Sequence, residues 1–169
     1  MARTYFKLLY RLDGVDGLLL WYTNDSDGVT TTADNCVLSF KTEADLLAYS
    51  HAHSLVVKQE EPVLHNLDAI AAWLARPQAE TIVCSDFLDA WNLFGDIARS
   101  CPQYSVGFAA RDKHLSDVYE KLFYGSNLPS VTPPGEHHTP EWSRDEITGL
   151  SQSLQDGLDM FVAVRRQQT

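Results

Sequence analysis

Near the start of the chain two aromatic and apolar runs stand on either side of a glycine-bearing spacer. Tyr5 to Leu12 reads YFKLLYRL and Leu18 to Thr23 reads LLLWYT, with Asp13-Gly14-Val15-Asp16-Gly17 between them. Runs of this length and composition around a Gly-containing loop predict a β-hairpin. A lone hairpin is marginal in water, so the rest of the chain has to cover it.

The following sequence supplies that cover. Cys36 to Phe40 (CVLSF) reads as a third strand. Thr42, with Asp45 three residues on, makes a near capping box and predicts a helix to about Ser50. Leu55-Val56-Val57 and Thr81 to Cys84 are short strand candidates. Asn66 can cap a second helix with Leu67, Ile70, Ala71 and Leu74 on one face, ended by Pro77. Ser85 can cap a third, with Phe87, Leu88, Trp91, Phe94 and Ala98 as its stripe and Pro102 closing it. Asp112 precedes a fourth carrying Leu115, Val118, Tyr119 and Leu122, with Gly125 as its C-cap. Ser143-Arg144-Asp145-Glu146 is a full capping-box pattern. It opens a last helix with Ile147, Leu150, Leu154, Leu158 and Phe161 aligned, and Arg165 and Arg166 complement its dipole. Strands come early and helices later, so the expectation is one α+β domain over 1–169. Its small, mostly antiparallel sheet comes from the N-terminal half and packs with about five helices. The strand–helix–strand stretch Cys36 to Val57 is expected to add one parallel pairing.

Tyr119 to Trp142 contains Pro129, Pro133, Pro134 and Pro140, yet keeps Leu128, Val131 and Trp142 for packing. A disordered linker lacks such anchors. A long ordered loop in a compact domain is often functional.

The 169 residues hold 23 acidic and 13 basic side chains, a formal charge of -10. That argues against nucleic acid and anionic membranes as partners and favours a basic partner, or solubility alone. Cys36, Cys84 and Cys101 are an odd, scattered set with no metal or redox spacing, which argues against a disulfide framework. Met1 to Tyr5 shows no signal-peptide core, and Leu18 to Tyr22 is too short to span a bilayer. These features predict a cytoplasmic protein.

No catalytic, cofactor-binding or metal-ligating set stands out. Asp25, Asp27, Gly28 and Asp34 fall at calcium-loop positions counted from Thr23. But Thr23 is a poor first ligand and position twelve lacks a bidentate Glu, so a polar turn accounts for them better. His51 with His53, and His137 with His138, lack a third zinc ligand. There is no G-x-S-x-G, P-loop or G-x-G-x-x-G pattern. Gly95 costs helix stability and implies a close approach. Asn92 and Asp96 share a helix face and predict a buried polar contact, with Asp96 fixing a loop by accepting backbone N–H bonds. Glu60 and Glu61 beside Pro62 are expected in an exposed loop.

Three pieces carry a family resemblance. They are Trp91-Asn92-Leu93-Phe94-Gly95-Asp96-Ile97-Ala98, then Tyr119-x-Lys121-Leu122-Phe123-Tyr124-Gly125-x-Asn127-Leu128-Pro129, then Val131-Thr132-Pro133-x-Gly135-Glu136 with Pro140-x-Trp142-Ser143. Together they resemble small immunity proteins of bacterial polymorphic-toxin systems, in particular those of contact-dependent growth inhibition. The likeness covers roughly residues 85–162. It implies a cytoplasmic, non-enzymatic inhibitor, monomer or simple dimer, that binds a cognate toxin C-terminal domain, often a basic nuclease. It also implies that Trp91, Asn92, Asp96, Lys121, Asn127, Pro129, Thr132, Glu136 and Trp142 hold the shared scaffold. Toxin contacts would then fall outside the motifs, at Asp25, Asp27, Asp34, Glu60 and Glu61. Two other readings stand beside it: a small hydrolase using Asp96, His137 or His138, and a non-catalytic adaptor with an exposed apolar patch.

Overall fold

The computed structural model describes residues 2–168; Met1, where the reading for a signal peptide begins, and Thr169 lie outside the description. The hairpin pairs β1 (Thr4–Leu12) with β2 (Val15–Thr23), Thr4 opposite Thr23 and Leu12 opposite Val15. Its turn is only Asp13-Gly14, both left-handed at φ 55 and 71. That two-residue geometry matches the right-handed strand twist and favours Asp-Gly. Val15 to Gly17, expected in the loop, therefore belong to β2. Side-chain room also fixes Gly17, because a Cβ there would run into the Tyr10 ring.

The other elements are β3 (Gly28–Val29), β4 (Val37–Phe40), α1 (Glu43–Ala52), β5 (Leu64–Asn66), α2 (Leu67–Ala75), α3 (Cys84–Ser100), α4 (Pro102–His114), α5 (Ser116–Gly125), α6 (Arg144–Val164) and β6 (Arg165–Gln167). The fold is α+β. Its sheet runs β5-β1-β2-β4-β6, with β3 also on β2. The pairs around β2 are antiparallel, whereas β1·β5 and β4·β6 are parallel. The sheet is thus antiparallel at its centre and parallel at both edges, and β6 comes from the far end of the chain.

Both faces of the sheet are covered, which explains the unbroken LLLW of β2. Leu19 and Trp21 face a large core with Leu8, Tyr10, Ile70, Trp73, Phe94, Ile97, Leu154 and Phe161. Leu18 and Leu20 face a smaller one with Leu38, Phe40 and Leu46 of α1. Fully burying each of these side chains contributes about 1.5–3 kcal/mol.

Several expectations are corrected. Leu55 to Val57 is not a strand; only Val57 bridges, in parallel, to Tyr5. Thr81 to Cys84 is not one either: Ala79–Thr81 makes a single 3-10 turn and Cys84 already opens α3. Its β-branched residues are a weak signal, since strand preference reflects a pleated surface to pack on. Ser85 is no cap; Val83 holds that position without a side-chain bond. Pro102 begins α4 at once, using the first-turn position where its missing N–H is no loss. Asp112 lies inside α4, so the described residues form six α-helices where about five were expected. Only Phe108 of α4 is buried, so no apolar stripe announces the helix.

Gly125 ends α5, and the left-handed residue after it is Asn127, at φ 49. The glycine serves closeness instead: a Cβ there would stand 2.6 Å from the Cys84 sulfur. Arg165 and Arg166 leave the helix to form β6, with Arg165 over the rings of Phe161 and Tyr10 at 5.5 and 5.7 Å.

The caps at Thr42, Asn66 and Ser143 form as expected. In the capping box of α6, Glu146 accepts the Ser143 backbone N–H at 2.9 Å and Lys121 Nζ at 2.8 Å. Burial pushes its carboxyl up, but the bonds from Lys121 and Ser143 outweigh that and hold it below its usual range. A lowered acid stabilises the fold above its unfolded value and loses that effect as pH falls through the folded one. Glu146→Gln should therefore cost about 1 kcal/mol at pH 7. Denaturant titrations of both proteins should converge as pH drops below the carboxylate range.

Gly157 of α6 lies flat on the Phe94 ring of α3, and a Cβ at Gly157 would overlap that ring. Phe94 is fully buried and cannot swing away. Gly157→Ala should destabilise by about 1–3 kcal/mol through overpacking, although alanine is the better helix former. Chemical denaturation checks this, and a stabilised variant would refute the close-contact account.

Candidate functional site: an acidic cleft

A cleft of about 600 Å³ opens between the hairpin, the loop after α1 and helix α3. Its walls come from distant parts of the chain. Phe6, Leu8 and Trp21 project from β1 and β2, and Glu60, Glu61, Pro62 and Val63 come from the loop that leads into β5. Asp89, Asn92, Leu93, Asp96 and Arg99 line it from α3, and Tyr119 from α5. Spacings of three, four and three put Asp89, Asn92, Asp96 and Arg99 on one helix stripe. Asp27, at the entry to β3, closes the other side.

Asp96 is the deepest of these acids, at 7% exposure. Trp21 donates its indole N–H to one carboxylate oxygen at 2.8 Å, and the Arg99 guanidinium pairs with the other. Burial pushes the carboxyl above its usual range, while the Trp21 bond and Arg99 pull the other way. Asp96 thus holds a neighbouring element through side-chain donors, not through the backbone N–H bonds expected. Asn92 is exposed, so the buried Asn92–Asp96 contact does not form. One turn on, Ser100 Oγ donates to the Asp96 carbonyl at 2.8 Å and accepts the Val29 N–H at 2.9 Å. Arg99 also reaches the Asp27 carbonyl at 3.4 Å.

Asp89 sits half-buried and its carboxyl is pushed up by burial, offset in part by His65 and raised again by Asp86. The cleft therefore gathers Asp27, Glu60, Glu61, Asp89 and Asp96 against Arg99, His65 and Lys7, the last of these paired with Glu43 at 2.7 Å. Aromatic walls with carboxylates at the rim suit a cationic side chain, which gains from ring faces and charge alike. Exposed Val63 at the mouth adds apolar contact area.

Of the acids expected at a partner surface, Asp27, Glu60 and Glu61 come together here. Asp25 is exposed in the bend before β3, and Asp34 is exposed in the turn from Thr31 to Cys36; neither lines the cleft. His51 and His53 end α1, where His53 Nδ1 meets the Tyr49 carbonyl at 2.8 Å. His137 and His138 are exposed in the proline-rich loop, and the cleft that Asp96 lines contains neither. Trp21, Phe6, His65, Asp89 and Tyr119 were missed by sequence reasoning. The polar stripe of α3 was the one legible signal for Asp89.

The motif residues mostly fasten the loop between α5 and α6. Lys121 donates to the Glu141 carbonyl at 2.7 Å and lies 5.8 Å from the ring of half-buried Trp142. Asn127 clasps His138 twice, accepting its N–H at 2.6 Å and donating to its carbonyl at 3.0 Å. Thr132 and Glu136 donate their backbone N–H to Leu128 and Pro133, and Pro129 is exposed. Trp91 is buried, with the Arg111 guanidinium 4.3 Å over its ring.

No family model and no curated protein matches the chain. Among solved structures it is similar to the C-terminal domain of SatS, crystallised in complex with bromine. That likeness has a TM-score of 0.59 at 10% identity and covers 97% of this chain and 94% of that one. At this identity the likeness bears on fold alone. Among the described residues no helix is long and apolar enough to cross a membrane.

Trp21→Phe keeps an aromatic ring, gives up part of the indole's volume and removes the N–H held by Asp96. A hydrogen bond to a charged, buried partner makes the expected loss about 1–3 kcal/mol. Equilibrium unfolding measures it, and an unchanged midpoint would show that Arg99 alone satisfies the carboxylate.

Proposed function

We propose that the protein is a cytoplasmic immunity protein. It binds the C-terminal toxin domain of a cognate contact-dependent growth inhibition effector, a basic nuclease, and neutralises it. The observation that carries this reading is the convergence of Asp27, Glu60, Glu61, Asp89 and Asp96 on one aromatic-walled cleft. The net charge of -10 adds a long-range attraction for a basic domain. The resemblance over residues 85–162 supplies the class of partner. The acids stand in for nucleic-acid phosphates and speed association, while Trp21, Phe6 and Tyr119 provide contact area.

Co-expression with the C-terminal domain of the neighbouring effector tests the reading. Growth should be rescued, and a one-to-one complex that weakens with salt should co-purify. Persistent killing with no complex at low salt would overturn it. Within such a complex, Glu60→Lys with Glu61→Lys should slow association about tenfold at low ionic strength, with the gap closing as salt rises. Stopped-flow mixing at two salt concentrations measures that.

A further inference from the structure

Gly95 stands in the middle of α3, where glycine weakens a helix relative to alanine. The close approach that would justify it comes from no neighbouring backbone. A Cβ added there would meet Arg99 Nη1 at 3.5 Å and Arg111 Nη2 at 3.9 Å, both ordinary contacts. An alanine therefore fits the folded protein at this position. What the glycine leaves is open space beside two guanidinium groups.

That space belongs to a pocket of about 350 Å³ where three helices meet. Gly95 and Arg99 line it from α3, Arg111 and Asp112 from the end of α4, and Ser116 and Tyr119 from the start of α5. Burial lowers the Arg111 pKa below its ordinary value; Asp112 offsets that, and the nearby Arg99 lowers it further. Each guanidinium already has one carboxylate, Asp96 for Arg99 and Asp112 for Arg111. Those pairs leave donors over. Arg99 gives Nη2 to Asp96 and Nε to the Asp27 carbonyl, while Nη1, the atom next to Gly95, meets no acceptor among the described residues. The Arg99 side chain is 49% exposed, so a ligand can reach it. Arg111 is held against the rings of Trp91 and Phe108, at 4.3 and 4.5 Å, and its charge is fixed there as a back wall. Ser116 is exposed and opens α5, which has no side-chain cap. The positive end of that helix therefore adds to the field in the pocket.

Donors thus approach one point from three helices. A planar carboxylate offers two oxygens to such a set, whereas a tetrahedral phosphoryl group offers three and keeps a fourth for whatever carries it. We propose that this pocket binds a phosphate group seated over Gly95, with Arg99 Nη1 and Ser116 Oγ donating to its oxygens and Arg111 supplying charge from behind. The two Arg–Asp pairs balance in charge, so affinity rests on donor geometry and the expected Kd is about 1 mM. Asn92, Arg99 and Tyr119 also border the acidic cleft, but phosphate binding by the protein alone does not depend on the toxin-binding reading.

Titration of the ¹⁵N-labelled protein with inorganic phosphate tests it. The amide resonances of Gly95, Ser116 and Tyr119 should shift saturably, and chloride at matched ionic strength should not move them. Acetate should bind at least tenfold more weakly. Phenyl phosphate separates two sources of the same group: tighter binding than phosphate names a small phosphomonoester lying on Tyr119, and equal or weaker binding names phosphate itself. Gly95→Ala should melt no lower than the parent, because alanine is the better helix former, yet bind phosphate at least tenfold more weakly, because its methyl fills the seat. Ser116→Ala, at an exposed position, should weaken binding about threefold and decides the matter should Gly95→Ala fold poorly. The absence of any saturable shift would overturn the proposal, as would equal binding of acetate, full affinity in a folded Gly95→Ala, or unchanged affinity in Ser116→Ala.

Discussion

A carboxylate taken out of water must be met by donors, and Asp96 is met from two directions. The Trp21 indole arrives from the hairpin and the Arg99 guanidinium from one turn further along α3. This joint locks the most buried helix of the molecule to the middle of its sheet. Ser100 extends the same lock to β3 through the Val29 N–H. The helices α4, α5 and α6 pack on α3 in turn, so their placement inherits that register.

The joint also shapes the cleft. Its floor consists of groups already bonded to one another, and groups fixed in advance lower the entropic cost of any association there. It also explains why Asp96 is poorly suited to accept a partner directly, whereas Glu60, Glu61 and Asp27 at the rim are open to one. The division resembles that of many interfaces, with a packed centre and a charged, solvent-exposed margin.

What the sequence disclosed follows the physics of each element. The hairpin and α6 were legible because their signals are local: two aromatic and apolar runs around a glycine-bearing spacer, and a complete capping box before an apolar stripe. The β5 and β6 strands were not, since each is three residues long and pairs with a partner far away in the chain. Helix α4 hid because it buries only Phe108. Gly125 was misread as a cap because sequence cannot show that Cys84 and Pro140 close in on it. Within the site, Asp27, Glu60 and Glu61 could be named as surface acids, but not as neighbours. Asp34 carries the same charge and lies elsewhere, because the turn from Thr31 to Cys36 folds back on itself through a Thr32–Cys36 backbone bond.

The proline-rich loop is closed by side chains at its base rather than by a ladder along its length. Asn127 ties it to His138, and Lys121 and Trp142 hold its return limb. Between the two clasped residues the backbone contributes little to the core. Loop-closure entropy rises only slowly with length. Residues 128–137 can therefore lengthen or shorten in evolution without disturbing the domain. The same span offers an internal place to graft a peptide tag, away from the acidic cleft.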